Sequence, residues 1–272
     1  MGLFYREIEQ LKNGIGYAAT ATHIGLNRRV SKMKYSEIYF SVWEFSSKEK
    51  KTVAKKYLSS LPYDLCEMLV KIGSKQGDTV LDPFCGSGQI LLACRNLGRK
   101  AIGIDINPEA IKLAEELLCT SLKKEEGIRL ILGDCLEKLR EFQDCSVDAV
   151  ITHPPYWRAW KYTRDLKDLS NMKYEEYLKN MEKIFREIYR ILKEKCRFIF
   201  VIGDCIHRGK FYPIHAHLTV ICEKIGFQPR PYGIWVLRGL AYYGFIRPYK
   251  KIRDGCFKQF QLSHNYICVF EK

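Results

Sequence analysis

Four short stretches hold residues whose types and spacing could do chemistry together: Asp82-Pro-Phe-Cys-Gly-Ser-Gly88, Asp105, Asp134, and Thr152-His-Pro-Pro-Tyr-Trp157. Gly86 and Gly88 fall between a strand-like run and a helix-like one. There a backbone without Cβ lets a ligand come close, and helix N–H groups point at it. No Gly-Lys-Ser/Thr follows, so this is not a triphosphate-binding loop. Asp105 lies about 20 residues past the glycines, the separation at which an acid accepts from ribose hydroxyls. Asp134 is placed to accept from an adenine amino group. Each acid alone reads as well as a turn or cap residue. Together with the glycines they describe a pocket for an adenosine-containing cofactor.

The doubled proline is the second chemical feature. Proline fixes its own φ and removes a donor, so Pro154-Pro155 is misplaced in a helix or central strand but well suited to a rigid loop. Such a loop holds main-chain carbonyls and the His153 side chain in one direction. Tyr156, Trp157 and Trp160 follow, offering flat faces on which a nucleobase can stack, each contact contributing about 1–3 kcal/mol. The alternative is a stiffened loop whose aromatics are tucked into the core.

Elements must bring these stretches to one edge, and the hydrophobic pattern supplies them. Thr-Val-Leu-Asp-Pro-Phe (79–84) is a short apolar run, and the glycine turn leads into a helix closed by Gly98. Strands are expected at 101–106, 128–134 and 147–152, with a helix over 108–119 that has Pro at its first position. Apolar residues at 177, 178, 181, 184, 185, 188, 191 and 192 predict one long helix over 174–194. Strands at 197–204, 233–237 and 265–271 and a helix over 215–226 complete the pattern. Strands alternating with helices predict an α/β fold, a doubly wound, mostly parallel sheet of seven strands. In such sheets ligands bind at the carboxyl ends of the strands, where strand order reverses. All four stretches lie at predicted strand ends.

The 272-residue chain carries a net charge of +14, unevenly distributed. Residues 1–60 hold 11 Lys and Arg against 5 acids, and residues 226–258 hold 7 against one, so these segments carry nearly all the excess. A nearly neutral body with two basic segments fits a polyanionic partner; solubility alone is the plainer reading. The expected organisation is a basic N-terminal extension over 1–60, for substrate binding, and a catalytic domain over 61–272 with a basic, aromatic insertion at 238–264. Eleven cysteines contain no CxxC pair and fall singly in apolar runs, as small buried hydrophobes do in a reducing compartment. No apolar run reaches the roughly 18 residues of a membrane span, and the expected location is the cytoplasm.

Asp-Pro-Phe-Cys-Gly-Ser-Gly, a strand ending Gly-Ile-Asp105, and a following x-Pro-Pro-Tyr loop resemble the S-adenosylmethionine-dependent amino-methyltransferases that modify N4 of cytosine or N6 of adenine. The resemblance covers roughly 58–206 and the closing strand within 263–272. It implies a class I, Rossmann-like fold with S-adenosylmethionine as cofactor. Asp82, Phe84, Gly86 and Gly88 would shape the cofactor loop. Asp105 and Ile106 would hold the ribose, and Asp134 and Cys135 the adenine. His153, Pro154, Pro155 and Tyr156 would form the catalytic loop. Trp157, Trp160, Arg247, Lys250 and Lys251 would meet the substrate. Cytosine C5 methylation is not expected, because the loop lacks the nucleophilic cysteine that reaction needs.

If both amine hydrogens donate, to the Pro154 carbonyl and to the side chain at 153, the nitrogen can pyramidalise towards the methyl carbon. Asp, Asn or Ser is usual before the two prolines in this family, and His153 is a departure. Neutral imidazole accepts where protonated imidazole repels, so activity is expected to fall as pH drops through its titration. The short insertion suits recognition of a folded shape better than groove reading of many base pairs. Structured RNA, ribosomal RNA first, is the expected partner, resembling archaeal enzymes that modify N4 of a cytidine; DNA is the alternative. A metal held by Cys205, His207, His215 and His217 is not expected, since the spacing matches no common zinc pattern. Two further readings remain: a non-catalytic nucleic-acid-binding protein, and a methyltransferase acting on a protein side-chain amide.

Overall fold

The computed structural model describes residues 42–44, 60–119, 127–158, 163, 167–236 and 264–272. Most of the expected N-terminal extension, and Trp160, Arg247, Lys250 and Lys251, lie outside the described residues.

The strands that were expected to be parallel are parallel. β2 (Thr79–Asp82) pairs with β3 (Lys100–Asp105) on one side and with β5 (Val147–Thr152) on the other. β3 continues to β4 (Ile128–Leu132), and β5 to β6 (Leu192–Ile202). β11 (His264–Glu271) runs antiparallel to β6 and carries β10 (Gly233–Val236) beyond it. Two short strands exceed the seven expected: β1 (Val42–Glu44) on β10 and β9 (Gln228–Pro229) on β11. Strand order therefore reverses at β2, which puts the crevice at the carboxyl ends of β2, β3 and β5.

Burial on both faces explains why the central strands read as continuous apolar runs. Helices α1 (Tyr63–Gly73), α2 (Gln89–Asn96) and α3 (Pro108–Cys119) pack together, and Gly73 of α1 lies against Ile151 and Ile199. Their alternating neighbours Val150, Phe198 and Phe200 join the other core cluster. That cluster includes α5 (Tyr174–Ile191) and α6 (Ile214–Ile225), with α4 (Cys135–Leu139) beside them. The expected helical face of α5 is buried at Tyr177, Met181, Ile184, Phe185, Ile188 and Ile191.

Two details differ from expectation. The helix expected over 174–194 stops at Ile191, and Leu192 is already extended (φ −73°, ψ 135°). Cys145 and Ser146 donate to the carbonyls of Arg190 and Ile191, and Leu192 pairs with Val147. Strand pairing thus satisfies the last carbonyls that another helical turn would have used. The second difference is a hairpin, β7 (Cys205–His207) and β8 (Lys210–Tyr212), between the strand expected over 197–204 and the helix expected over 215–226, where no strand was expected. No helix of the described residues is long and apolar enough to cross a membrane.

Candidate active site

Asp82 ends β2 and Thr152 ends the neighbouring β5, and both are buried. Thr152 Oγ1 donates to Asp82 Oδ1 at 2.6 Å, and the Phe84 N–H donates to the same oxygen at 3.1 Å. This pair ties the start of the glycine turn to the start of the proline loop. Burial, with a smaller contribution from nearby Asp105, pushes the Asp82 carboxyl up to about 7, against the pull of its two hydrogen bonds. The folded protein therefore holds this proton more tightly than the unfolded chain, whose carboxyl titrates near 3.8. The stability it contributes is complete below about pH 4 and is lost as pH rises through about 7, a total of roughly 4 kcal/mol. Asp82→Asn is expected to remove that loss. Its melting temperature should change less than the parent's between about pH 5 and pH 8, by on the order of 10 °C. Equal pH dependence in calorimetric melts of the two proteins would refute the assignment.

The glycine turn folds back onto β3. The Gly86 N–H donates to Asp105 Oδ2 at 2.8 Å and the Asn107 N–H to Asp105 Oδ1 at 2.9 Å. Burial raises the Asp105 carboxyl while these backbone bonds oppose the rise. Each oxygen keeps acceptor capacity for a ribose hydroxyl. Gly88 begins α2 at φ 82°, and a Cβ there would lie 3.0 Å from the Ala114 Cβ of α3. This position needs glycine both for its backbone and for helix packing. Asp134 caps α4, accepting from the Glu137 N–H at 3.0 Å, the bland role weighed for it, and also lines the cavity.

These groups surround one cavity of about 300 Å³. Leu61, Phe84, Ile106, Leu136 and Ile184 supply apolar walls, while Asp82, Gly86, Asp105 and Asp134 supply polar ones. Ser87 and Gln89 line it too, and Ser87 Oγ and Gln89 Nε2 are buried with no hydrogen-bond partner among the described residues. Buried polar atoms of this kind are normally paired, so a ligand with acceptors fits them. Size, mixed lining and unpaired donors together fit S-adenosylmethionine. Cys66, Cys85 and Cys135 also line the cavity, and burial pushes all three thiols up, so none supplies a thiolate at neutral pH.

His153 and Pro155 line the same cavity, after β5, the strand next to the one that leads into the glycine turn. Tyr177 of α5 donates to the Pro155 carbonyl at 3.2 Å, bracing the loop from the helix layer. His153 Nε2 lies 2.9 Å from the Tyr156 hydroxyl, with the rings edge to face. Two expected catalytic residues are thus hydrogen-bonded to each other. Trp157, expected to stack on a substrate base, is only 4% exposed. Its Nε1 donates to the Met172 carbonyl at 2.9 Å, and its ring packs on Tyr174, Tyr212 and His207. A tryptophan this enclosed anchors the loop instead of presenting a face.

Two site residues escaped the sequence reading. Asp168, 4% exposed, lines the cavity and accepts from the N–H and hydroxyl of both Thr163 and Ser170. An acid two residues before a serine signals such a turn. Gly203, just past β6, lies under the Tyr156 ring; only its place after an apolar run hinted at a role. The cysteine and histidines once weighed as metal ligands have separate partners: His215 pairs with Asp204, His217 with Tyr174, and Cys205 lies opposite Tyr212. Among the described residues no group of three such side chains could hold a metal ion.

Known proteins resemble this chain. A family described as DNA methylase matches residues 11–116, and one described as Methyltransferase domain matches residues 74–226. The Type II methyltransferase M.HpaI of Haemophilus parainfluenzae is 43% identical over 102 residues, which is 37% of this chain and 32% of that protein. The tRNA (guanine(10)-N2)-dimethyltransferase of Methanocaldococcus jannaschii is 31% identical over 183 residues, 65% of this chain and 42% of that protein. The chain thus spans about a third to a half of the length of the curated relatives it matches. A SAM-dependent methyltransferase from Archaeoglobus fulgidus superposes with TM-score 0.50 and 17% identity, covering 80% of this chain and 97% of that one; this likeness shows the fold. The chain belongs to the S-adenosylmethionine-dependent methyltransferases, whose domain model covers more than half of it, and its likeness to the DNA methylase family lies within residues 11–116.

Proposed function

We propose that the protein transfers a methyl group to the exocyclic amine of a nucleobase, N4 of a cytidine in structured RNA being the first reading. One observation carries it: His153 and Pro155 line the same cavity as Asp82, Gly86 and Asp105, with Pro154 buried between them. Bound there, S-adenosylmethionine supplies an electrophilic methyl carbon. Asp105 and Asp134 orient the adenosine part, Phe84, Ile106 and Leu136 exclude water around it, and Cys135 closes the wall. The Asp82–Thr152 bond and the Tyr177–Pro155 bond fix the proline loop against that cavity. The Pro154 carbonyl and a neutral His153 ring, in the tautomer that donates from Nε2 to the Tyr156 hydroxyl, would accept the two amine hydrogens and turn the nitrogen lone pair towards the methyl carbon; as the N–C bond formed and the S–C bond broke, His153 would take the proton the nitrogen gives up. Tyr156 stacks on the base, which has left any helix to reach the site.

The concentration of positive charge near the chain's start and in 226–258 supports a polyanionic substrate. The relative named for tRNA, spanning 65% of this chain, favours RNA. A second reading, DNA methylation at cytosine N4 or adenine N6, is favoured by the DNA methylase match and by M.HpaI. Incubation with methyl-labelled S-adenosylmethionine, total RNA, genomic DNA and protein separates these. Label in RNA that digests to N4-methylcytidine is expected. Label confined to DNA would establish the second reading, and label confined to protein would overturn both.

A further inference from the structure

The cavity and the proline loop leave the β7–β8 hairpin without a role. His207 pairs with Lys210, and between them Arg208 (φ 50°) and Gly209 (φ 78°) both take positive φ, the two-residue turn that favours Asn-Gly. Arginine is a poor choice at the first of these positions, so local folding does not explain it. One face of the hairpin, through His207 and Tyr212, packs on Trp157, the residue after Tyr156. Arg208 and Lys210 are exposed, the Lys210 ammonium lying 5.2 Å over the Tyr212 ring, and Phe211 is 50% exposed, an unusual place for a large ring. Arg158 is also exposed, its guanidinium 5.8 Å above the same Trp157 ring. Residues 205–213 contain no acid. The nearest one, Asp204, is held by the His215 ring and backbone N–H.

We propose that this hairpin, with Arg158, docks an unpaired RNA strand beside the target nucleoside, the cations meeting phosphates and Phe211 stacking on a neighbouring base. The assignment rests on the nucleic-acid reading above. Three exposed cations, and an exposed ring on the other face of the same short hairpin, match a phosphate backbone with bases splayed from it. Unpaired bases are a regular feature of folded RNA and are absent from intact duplex DNA. Trp157 fixes the platform to the catalytic loop, so a strand held there is in register with the amine acceptor.

The test is fluorescence anisotropy of the full chain with a labelled stem-loop RNA carrying a loop cytidine, repeated over a range of salt concentrations. Arg208→Asn places a turn-favoured residue at the tip, so the hairpin persists without its cation; it is combined with Lys210→Gln. This pair is expected to lower the slope of log affinity against log salt by about 1.4, two single-strand phosphate contacts. Phe211→Ser is expected to weaken binding about tenfold with the slope unchanged. Calorimetric affinity for S-adenosylhomocysteine should stay the same in all variants. If the parent binds RNA and the variants match it in affinity and slope, the hairpin assignment is overturned while the substrate reading stands. Equal losses with a blunt-ended DNA duplex overturn the choice of an unpaired strand. A parent that binds neither RNA nor DNA overturns both the docking surface and the nucleic-acid reading.

Discussion

Gly203→Ala is expected to lower methyl transfer by on the order of 100-fold while leaving cofactor affinity nearly unchanged. A Cβ at this position would lie 2.5 Å from Asn265 Oδ1 and 2.9 Å from Tyr156 Cε2. Asn265 is 3% exposed and fixed in β11, opposite Trp235, so the tyrosine ring must yield. Tyr156 is hydrogen-bonded to His153, and displacing it carries the imidazole along. A shift of about 1 Å in groups that orient an attacking nitrogen is enough for a loss of that size. The groups proposed to hold the cofactor, Gly86, Asp105 and Asp134, lie on other strand ends and should be undisturbed. Steady-state turnover together with calorimetry of S-adenosylhomocysteine reads the split, and a melting curve checks that the fold survives. Parent-like turnover would show that the Tyr156 ring position does not matter.

The second large effect is the converse. Asp105→Ala is expected to weaken cofactor binding by on the order of 100-fold, with turnover at saturating cofactor much less affected. The substitution removes the acceptor for the Gly86 and Asn107 N–H groups, and with it the bond that folds the glycine turn onto β3. Charge-assisted bonds contribute about 1.5–3 kcal/mol each, so one or two of them account for a loss of this size. Equilibrium dialysis with labelled cofactor measures it. Unchanged affinity would mean that the turn keeps its shape without the carboxylate and that the ribose is held elsewhere.

The parallel core of the fold was legible because its signals are local. β2, β3 and β5 are apolar runs that end in acids or threonine, and α2 and α3 are marked by Gly88 and Pro108. Adjacency of their carboxyl ends then follows from the handedness of parallel connections. Where two periods overlap, sequence was a poorer guide. Leu192 fits the apolar face of α5 and also the start of β6, and only pairing with Val147 decides between them. The β7–β8 hairpin was missed for a related reason. Arg208-Gly209 is not a favoured pair for its turn, and six residues of strand are too few to show alternation.

The site was legible where chemistry dictates residue type and illegible where neighbours do. Asp82, Gly86, Asp105 and the proline loop announce themselves. Trp157 does not: a tryptophan after Pro-Pro-Tyr can face a base or a core, and packing from Tyr174 and Tyr212 selects the core. Thr152 looks like one more β-branched strand residue until its hydroxyl is seen on Asp82, 70 residues away in sequence. Gly203 carries no chemistry of its own and is needed only because Asn265 and Tyr156 crowd it.

The central claim is that the cavity behind the glycine turn and the proline-braced loop form one reaction centre. A crystal structure with S-adenosylhomocysteine tests it most directly. The account predicts the adenosine on Asp105 and Asp134 and the sulfur turned towards His153 and Pro155, with space between for one methyl group and one amine. Adenosine bound in this cavity with its sulfur directed away from that loop, or bound at another place on the chain, would contradict it.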